Sequence, residues 1–212
     1  MMGHHTTFLL LLLAALTTLT TSSTIPLHKR SPPNIPSSTE AQGLLGSLIV
    51  APRGSHDGYS RKRFPHWITI KGACNTRETV LKRDGMNVEV GPNCQPTSGM
   101  WYSPYDGATW SDPSDVDVDH VVPLSLAWKS GASSWTKNMR QKFANDLRNP
   151  QLIAVTDKVN QAKGDKGPDE WKPPSVSYHC EYSRMWIKVK STYNLTVTEA
   201  EMSALKDMLR TC

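Results

Sequence analysis

Apolar residues in this chain change their spacing several times, and each change predicts an element. Leu44, Leu45 and Leu48 recur at helical spacing, predicting a helix from Ser38 through Val50 with Pro52 as its stop. Thr76 reads as the N-cap of a second helix running through Lys82 and closed by Gly85. From Asn87 to Val118 short apolar runs, such as Val88-Glu89-Val90 and Met100-Trp101-Tyr102, are divided by Gly, Pro, Asn and Asp. That is the chemistry of strands and turns. Asp115-Val116-Asp117-Val118 alternates strictly, as a half-buried strand does, and Pro123 interrupts it. Trp135 to Leu147 reads as an exposed amphipathic helix in a stretch that carries Lys137, Arg140, Lys142 and Arg148. Leu152-Ile153-Ala154-Val155 is a short buried strand. Thr156 or Asp157 caps a helix that follows at once to about Lys163, where Gly164 and Gly167 end it. Two helices close the chain. The first gathers Tyr182, Met185, Trp186, Val189 and Tyr193 on one face. The second opens with a Thr198-Glu199-Ala200-Glu201 capping box and presents Met202, Leu205, Met208 and Leu209. The expected fold class is α+β.

The N-terminus reads differently. Phe8 to Leu16 is a short Leu- and Ala-rich run followed by Thr and Ser, which predicts a signal peptide over residues 1–23, cleaved near Thr21 to Thr24. Only His4 and His5, and no Lys or Arg, precede it. The run is shorter than the ~20 residues a membrane span needs, so no membrane segment is expected after its removal. Lys29-Arg30 is a dibasic pair that suits a processing protease, and Ser31 to Pro36 is rich in Pro and Ser. Residues 24–43 are therefore read as a propeptide and linker, and 44–212 as the working domain. The net charge of +5 falls by two when residues 1–30 leave, because they hold Lys29 and Arg30 and no acid. So mild a basic balance permits a polyanionic partner without demanding one.

Cys74, Cys94, Cys180 and Cys212 form no CxxC pair, which argues against a zinc knuckle. An even count in an exported chain reads as two disulfides. Three pairings are possible, the local one being Cys74–Cys94 with Cys180–Cys212, and a loop of the first size would gain roughly 3 kcal/mol. Asn194-Leu195-Thr196 is a sequon, placing a glycan on Asn194. A secreted, extracellular monomer is expected.

Candidate chemistry concentrates between Asp115 and Lys166, in the order strand, long connection, strand, helix. Hydrolysis of a phosphodiester needs a water deprotonated, charge neutralised on the phosphate, and the two oxygens held in line. His120 suits the first task, since an ordinary imidazole is largely neutral at physiological pH. Asp119 offers a hard oxygen ligand and the side-chain carbonyl of Asn160 another. Few protein ligands and several waters suit Mg²⁺, with Mn²⁺ as the alternative. Lys163 lies one helical turn after Asn160 and is expected to hold a phosphate oxygen.

Asp119-His120-Val121-Val122-Pro123 resembles the D-H-[IV]-[IV]-P signature of HNH, or ββα-metal, nucleases, and Asn160 with Lys163 resembles their N-x-x-K helix. From Tyr59 to Cys212 the chain is similar to secreted HNH proteins grouped with the C-terminal domain of GmrSD-type restriction enzymes. Phe64-Pro65-His66-Trp67-Ile68, Cys74-Asn75-Thr76-Arg77-Glu78, Trp101-Tyr102-Ser103-Pro104-Tyr105, Phe143-Ala144-Asn145-Asp146-Leu147, Gln151-Leu152-Ile153-Ala154-Val155-Thr156 and Asn160-Gln161-Ala162-Lys163-Gly164-Asp165-Lys166 carry that likeness. The resemblance implies an antiparallel two-stranded hairpin plus helix, to which N-terminal and C-terminal helices and short strands are added. It implies His120 as general base, Asp119 and Asn160 as ligands of one divalent metal, and Asn149 as a structural brace. The last motif position, often His, is Asn160 here and can still ligate through oxygen. The activity expected is hydrolysis of DNA, with RNA as the alternative, at little sequence preference, since nothing resembles a recognition helix. A different class of reading is a secreted effector or nucleic-acid-binding protein on the same scaffold without turnover. Asp115 and Asp117 are read as the wet face of a strand, ahead of the alternative that they supplement the metal site, and His56, His66 and His179 as structural. Arg61-Lys62-Arg63 is read as a phosphate-backbone contact, a solvated loop or a second processing site, and the seven Trp as core.

Overall fold

The computed structural model describes residues 1–3 and 31–212. The expected signal peptide, its cleavage zone and Lys29-Arg30 lie outside the described residues. From Ser31 onward the chain is not a free linker. Pro32 and Pro36 are buried, Asn34 donates to the Arg148 carbonyl, and Arg184 Nε donates to the Pro36 carbonyl. The segment ahead of residue 44 thus packs on the body that follows it. Proline-rich composition predicts an extended backbone, and an extended backbone docks as readily as it floats.

Helix α1 spans Ser38–Gly46, with Ser37 and Glu40 closing a capping box. It stops short of Val50 because the next residues pair with the far end of the chain: Ala51 N donates to the Val197 carbonyl and Val197 N to the Ile49 carbonyl. Strands β1 (Thr69–Lys71) and β2 (Cys74–Asn75) form a small antiparallel pair. Helix α2, Thr76–Asp84, is capped by Asn75 with Glu78 rather than by Thr76. Strands β3 (Gly85–Val90), β4 (Pro96–Tyr102) and β5 (Thr109–Trp110) form an antiparallel meander.

Strand β6, Val116–His120, pairs antiparallel with β7, Leu152–Thr156, in the register Asp119↔Ile153 and His120↔Leu152. The long connection between them holds α3 (Leu124–Lys129), a buried helix that the spacing did not predict, and α4 (Lys137–Ala144). Helix α5, Asp157–Lys163, follows β7 directly and ends at Gly164, whose φ of +52° favours glycine. Helices α6 (His179–Thr192) and α7 (Glu199–Leu209) complete the body. The result is a mixed α+β fold with small antiparallel sheets and, among the described residues, seven α-helices.

The β6–β7 pair separates two cores. Val116, Val118, Leu152 and Ala154 face one that also holds Val80, Leu81 and Trp101. Ile153 and Val155 face the larger one, built on Tyr182, Met185, Trp186, Leu205 and Met208. Alternation in a strand then sends Asp119 and His120 to opposite faces of the same hairpin. Disulfides join Cys74 to Cys94 and Cys180 to Cys212, and the second ties the chain end to the start of α6.

A buried polar cluster locks the helical side. Lys190 donates to Ser130 Oγ at 2.8 Å and to the Thr196 carbonyl at 2.7 Å, and lies 3.7 Å from Glu201. Arg53 bridges Glu201, Asp169 and Glu170. Burial lowers the pKa of Lys190 from 10.5 to about 8, and Glu201 opposes the shift. The folded state therefore binds fewer protons than the unfolded chain between these two values. Stability from this group is fully present above 10.5 and is lost as pH falls to about 8. Denaturant unfolding of wild type and Lys190→Met should diverge in favour of wild type as pH rises through this window. A constant difference would contradict the assignment.

Candidate functional site

Asp119 and His120 close β6 where it meets Pro123, and both are about 95% buried, at 5% exposure. Although they point to opposite faces, both line one cavity of about 230 Å³ together with Asn160, Arg61 and Asp165. The structure thus brings together three of the sequence-predicted residues, Asp119, His120 and Asn160, from two elements 40 residues apart.

His120 Nε2 sits 2.9 Å from the Ala144 carbonyl. A carbonyl only accepts, so Nε2 carries the hydrogen and Nδ1 is left as a bare acceptor. Trp67 stacks on the imidazole, with centroids 5.2 Å apart and planes 25° apart. Trp67 holds a left-handed backbone, φ +56°, which is costly for so bulky a residue. Asn145 pays for this locally by gripping the loop: it accepts from Ile68 N and Thr76 Oγ1 and donates to the Pro65 carbonyl. Burial lowers the His120 pKa to about 3, with the Ala144 carbonyl opposing, so the imidazole is neutral at physiological pH.

Asp119 is held from two sides. Tyr105 donates its hydroxyl to Oδ2 at 2.7 Å, and Lys163 donates to Oδ1 at 2.8 Å and to the His120 carbonyl at 3.0 Å. Burial raises the Asp119 pKa from its ordinary value, and Lys163 and Tyr105 oppose the shift. Lys163 is fully buried. Its ammonium turns inward to Asp119, and Lys163 is not among the residues that line the cavity.

Asn160 donates Nδ2 to Asp117 Oδ2 at 3.0 Å, so its side-chain carbonyl oxygen takes no part in that bond. Asp117 is accordingly half-buried behind the site rather than on a wet face. Asn149 donates through its backbone and side chain to Asp146, which also accepts from Tyr193. A stronger tie across the hairpin comes from Gln151, whose side-chain amide pairs with both the N–H and the carbonyl of Val122. Sequence reasoning gave no role to Tyr105, Gln151 or Asp165 individually, and it read Trp67 as core, whereas Trp67 is half-buried and stacks on His120. Each lay in a segment quoted for its likeness, but their contacts span distances along the chain that no local pattern encodes.

The donor set fits a divalent cation held by few protein atoms. Each Asp119 oxygen keeps a lone pair beyond its one hydrogen bond, Asn160 offers a carbonyl oxygen, and Asp165 stands on the same wall. No group of three His, Cys, Asp or Glu side chains that could hold a metal ion occurs among the described residues.

Breaking the Lys163–Asp119 pair leaves a buried carboxylate without its counter-charge. Lys163→Ala should therefore lose about 3–5 kcal/mol of stability, read from the denaturation midpoint at neutral pH. An unchanged midpoint would show that Asp119 does not depend on it.

Residues 95–208 match the family described as "GmrSD restriction endonucleases, C-terminal domain". A protein of Arthroderma benhamiae named "Uncharacterized secreted protein" is 71% identical over 182 residues, covering 86% of this chain and 89% of that one. No solved structure matches the chain.

Proposed function

Because this chain belongs to the family of the GmrSD restriction endonuclease C-terminal domain, we propose that it is a metal-dependent endonuclease of the HNH type, cleaving phosphodiester bonds of DNA, or RNA as the alternative, with little sequence preference. The chain is a secreted protein, as its relative is named, and among the described residues no helix is long and apolar enough to cross a membrane. The observation that carries the proposal is the His120 imidazole, with Nε2 fixed on Ala144 and Nδ1 free, in one cavity with Asp119 and Asn160. The β6–β7 pair followed by α5 would be the ββα unit of that class.

His120 Nδ1 takes the proton of an attacking water. The water oxygen bonds to phosphorus as one ester P–O bond breaks, and the oxygen that leaves takes a proton from solvent to become the hydroxyl of the second product. Asp119 and Asn160 would hold Mg²⁺ or Mn²⁺, which when bound supplies charge neutralisation at the phosphate and leaving oxygen. Lys163 and Tyr105 fix the Asp119 carboxylate in place, and Asp117 fixes the Asn160 amide. Trp67 and Ala144 set the plane of His120. Residues 1–23 would leave as a signal peptide, Lys29-Arg30 would be a processing site, and Asn194, exposed in the turn after α6, would carry a glycan. The protein would act as a monomer.

One observation favours the reading without turnover. The Lys163 ammonium already occupies Asp119, and a second cation must share that carboxylate. Purified protein decides between them. Plasmid should be nicked with Mg²⁺ or Mn²⁺ and left intact with chelator. His120→Ala should abolish nicking while its circular dichroism stays that of wild type, and Asn160→Ala should raise the metal concentration needed. Binding of DNA without cleavage under either metal would leave the non-catalytic reading standing.

A further inference from the structure

The three cations Arg61-Lys62-Arg63 form one short 3-10 turn, yet the fold gives them three different surroundings. Arg63 lies 5.6 Å over the Trp128 ring, where Arg140 also stacks. Lys62 is exposed and does not line the cavity. Arg61 is the one Lys or Arg among the cavity-lining residues, in the wall with Asp119, His120 and Asn160. Lys163, the cation expected there, is spent on Asp119.

Arg61 is also oriented. His66 Nδ1 lies 2.8 Å from the Phe64 carbonyl, which can only accept, so Nδ1 carries the hydrogen and Nε2 is a bare acceptor. Arg61 donates Nε to that atom at 3.3 Å. One edge of the guanidinium is thereby used on His66, which leaves the two Nη groups as a fork for another acceptor. The turn itself is pinned. Ser60 caps it, the Arg63 carbonyl accepts from Arg140, and Phe64 is fully buried. A guanidinium held by its Nε and offered by its Nη pair matches two non-bridging oxygens of a phosphodiester.

We propose that Arg61 is the group that holds the substrate phosphate in the cavity, and that His66 is the positioning residue that aims it. This rests on the nucleic-acid reading of the site. Guanidinium to phosphate is a charge-assisted interaction, and its loss corresponds to roughly tenfold to a hundredfold in affinity.

The test measures binding and cleavage separately. Binding is read as anisotropy of a short fluorescein-labelled DNA duplex with the full protein in chelator, across a salt series. Arg61→Met should weaken binding by that factor and lower the salt slope by about 1. Lys62→Met removes the same charge from the same turn and should bind nearly as wild type. His66→Leu should raise KM more than it lowers kcat, and His66→Gln, whose Oε1 can accept from Arg61 Nε, should restore much of the loss. Equal effects of Arg61→Met and Lys62→Met would reduce the role to net charge and overturn the proposal. So would an Arg61→Met protein that binds like wild type, or a wild type that binds no duplex. If wild type never cleaves yet Arg61→Met still weakens binding, the catalytic reading fails and this one stands. If wild type cleaves and Arg61→Met is indifferent, the reverse holds.

Discussion

A charge taken out of water must be matched where it lies, and here the match joins the two elements that carry the site. Asp119 ends β6, Lys163 ends α5, and their side chains meet at 2.8 Å with neither open to solvent. The same ammonium also takes the His120 carbonyl, so one buried cation fixes the strand end, the helix and the backbone of the candidate base. Removing either partner would expose the other to the full cost of desolvation. Together with the Asn160–Asp117 hydrogen bond, this pair ties α5 to β6.

Around it the fold spends polar groups to hold a short hairpin together. Gln151 extends the β6–β7 ladder past its last pair by using its amide as a substitute backbone against Val122. Asn145 and Asp146 hold the loop that carries Trp67 and the segment after α4. A hairpin of two strands is marginal alone. This one is sandwiched between two cores, which explains why all of β7 is buried on both faces. Preorganisation of this kind suits a site whose reacting groups must stay within a few tenths of an ångström.

Arg61 joins the cavity wall from a different part of the chain, with His66 bonded to it and Trp67 stacked on His120. Its turn lies far before β6 in the chain, and the buried Phe64 anchors the turn's end. Trp67 excludes solvent from one face of His120, while Arg61 supplies positive charge to a cavity whose other ionisable walls are Asp119, His120 and Asp165.

Local chemistry was legible in the sequence. Alternation at Val116 and Val118, the apolar run at Leu152, the Thr198–Glu201 capping box and the faces of α6 and α7 each follow from neighbours a few residues apart. The family likeness, the candidate base and the oxygen donors were legible as well, because a motif concentrates them within two short segments. What failed was whatever depended on burial. Helix α3 is only six residues long and buried from Leu124 through Trp128, so it carries no amphipathic period. Ser31–Pro36 looked like a tether because composition does not report docking. Lys163 looked like a phosphate contact because spacing gives the face of a helix but not what covers that face. The sequence by itself determined which groups are available for chemistry. Only the tertiary structure decided which of them meet solvent and which neutralise each other, because that choice is made by desolvation, and desolvation depends on the whole fold at once.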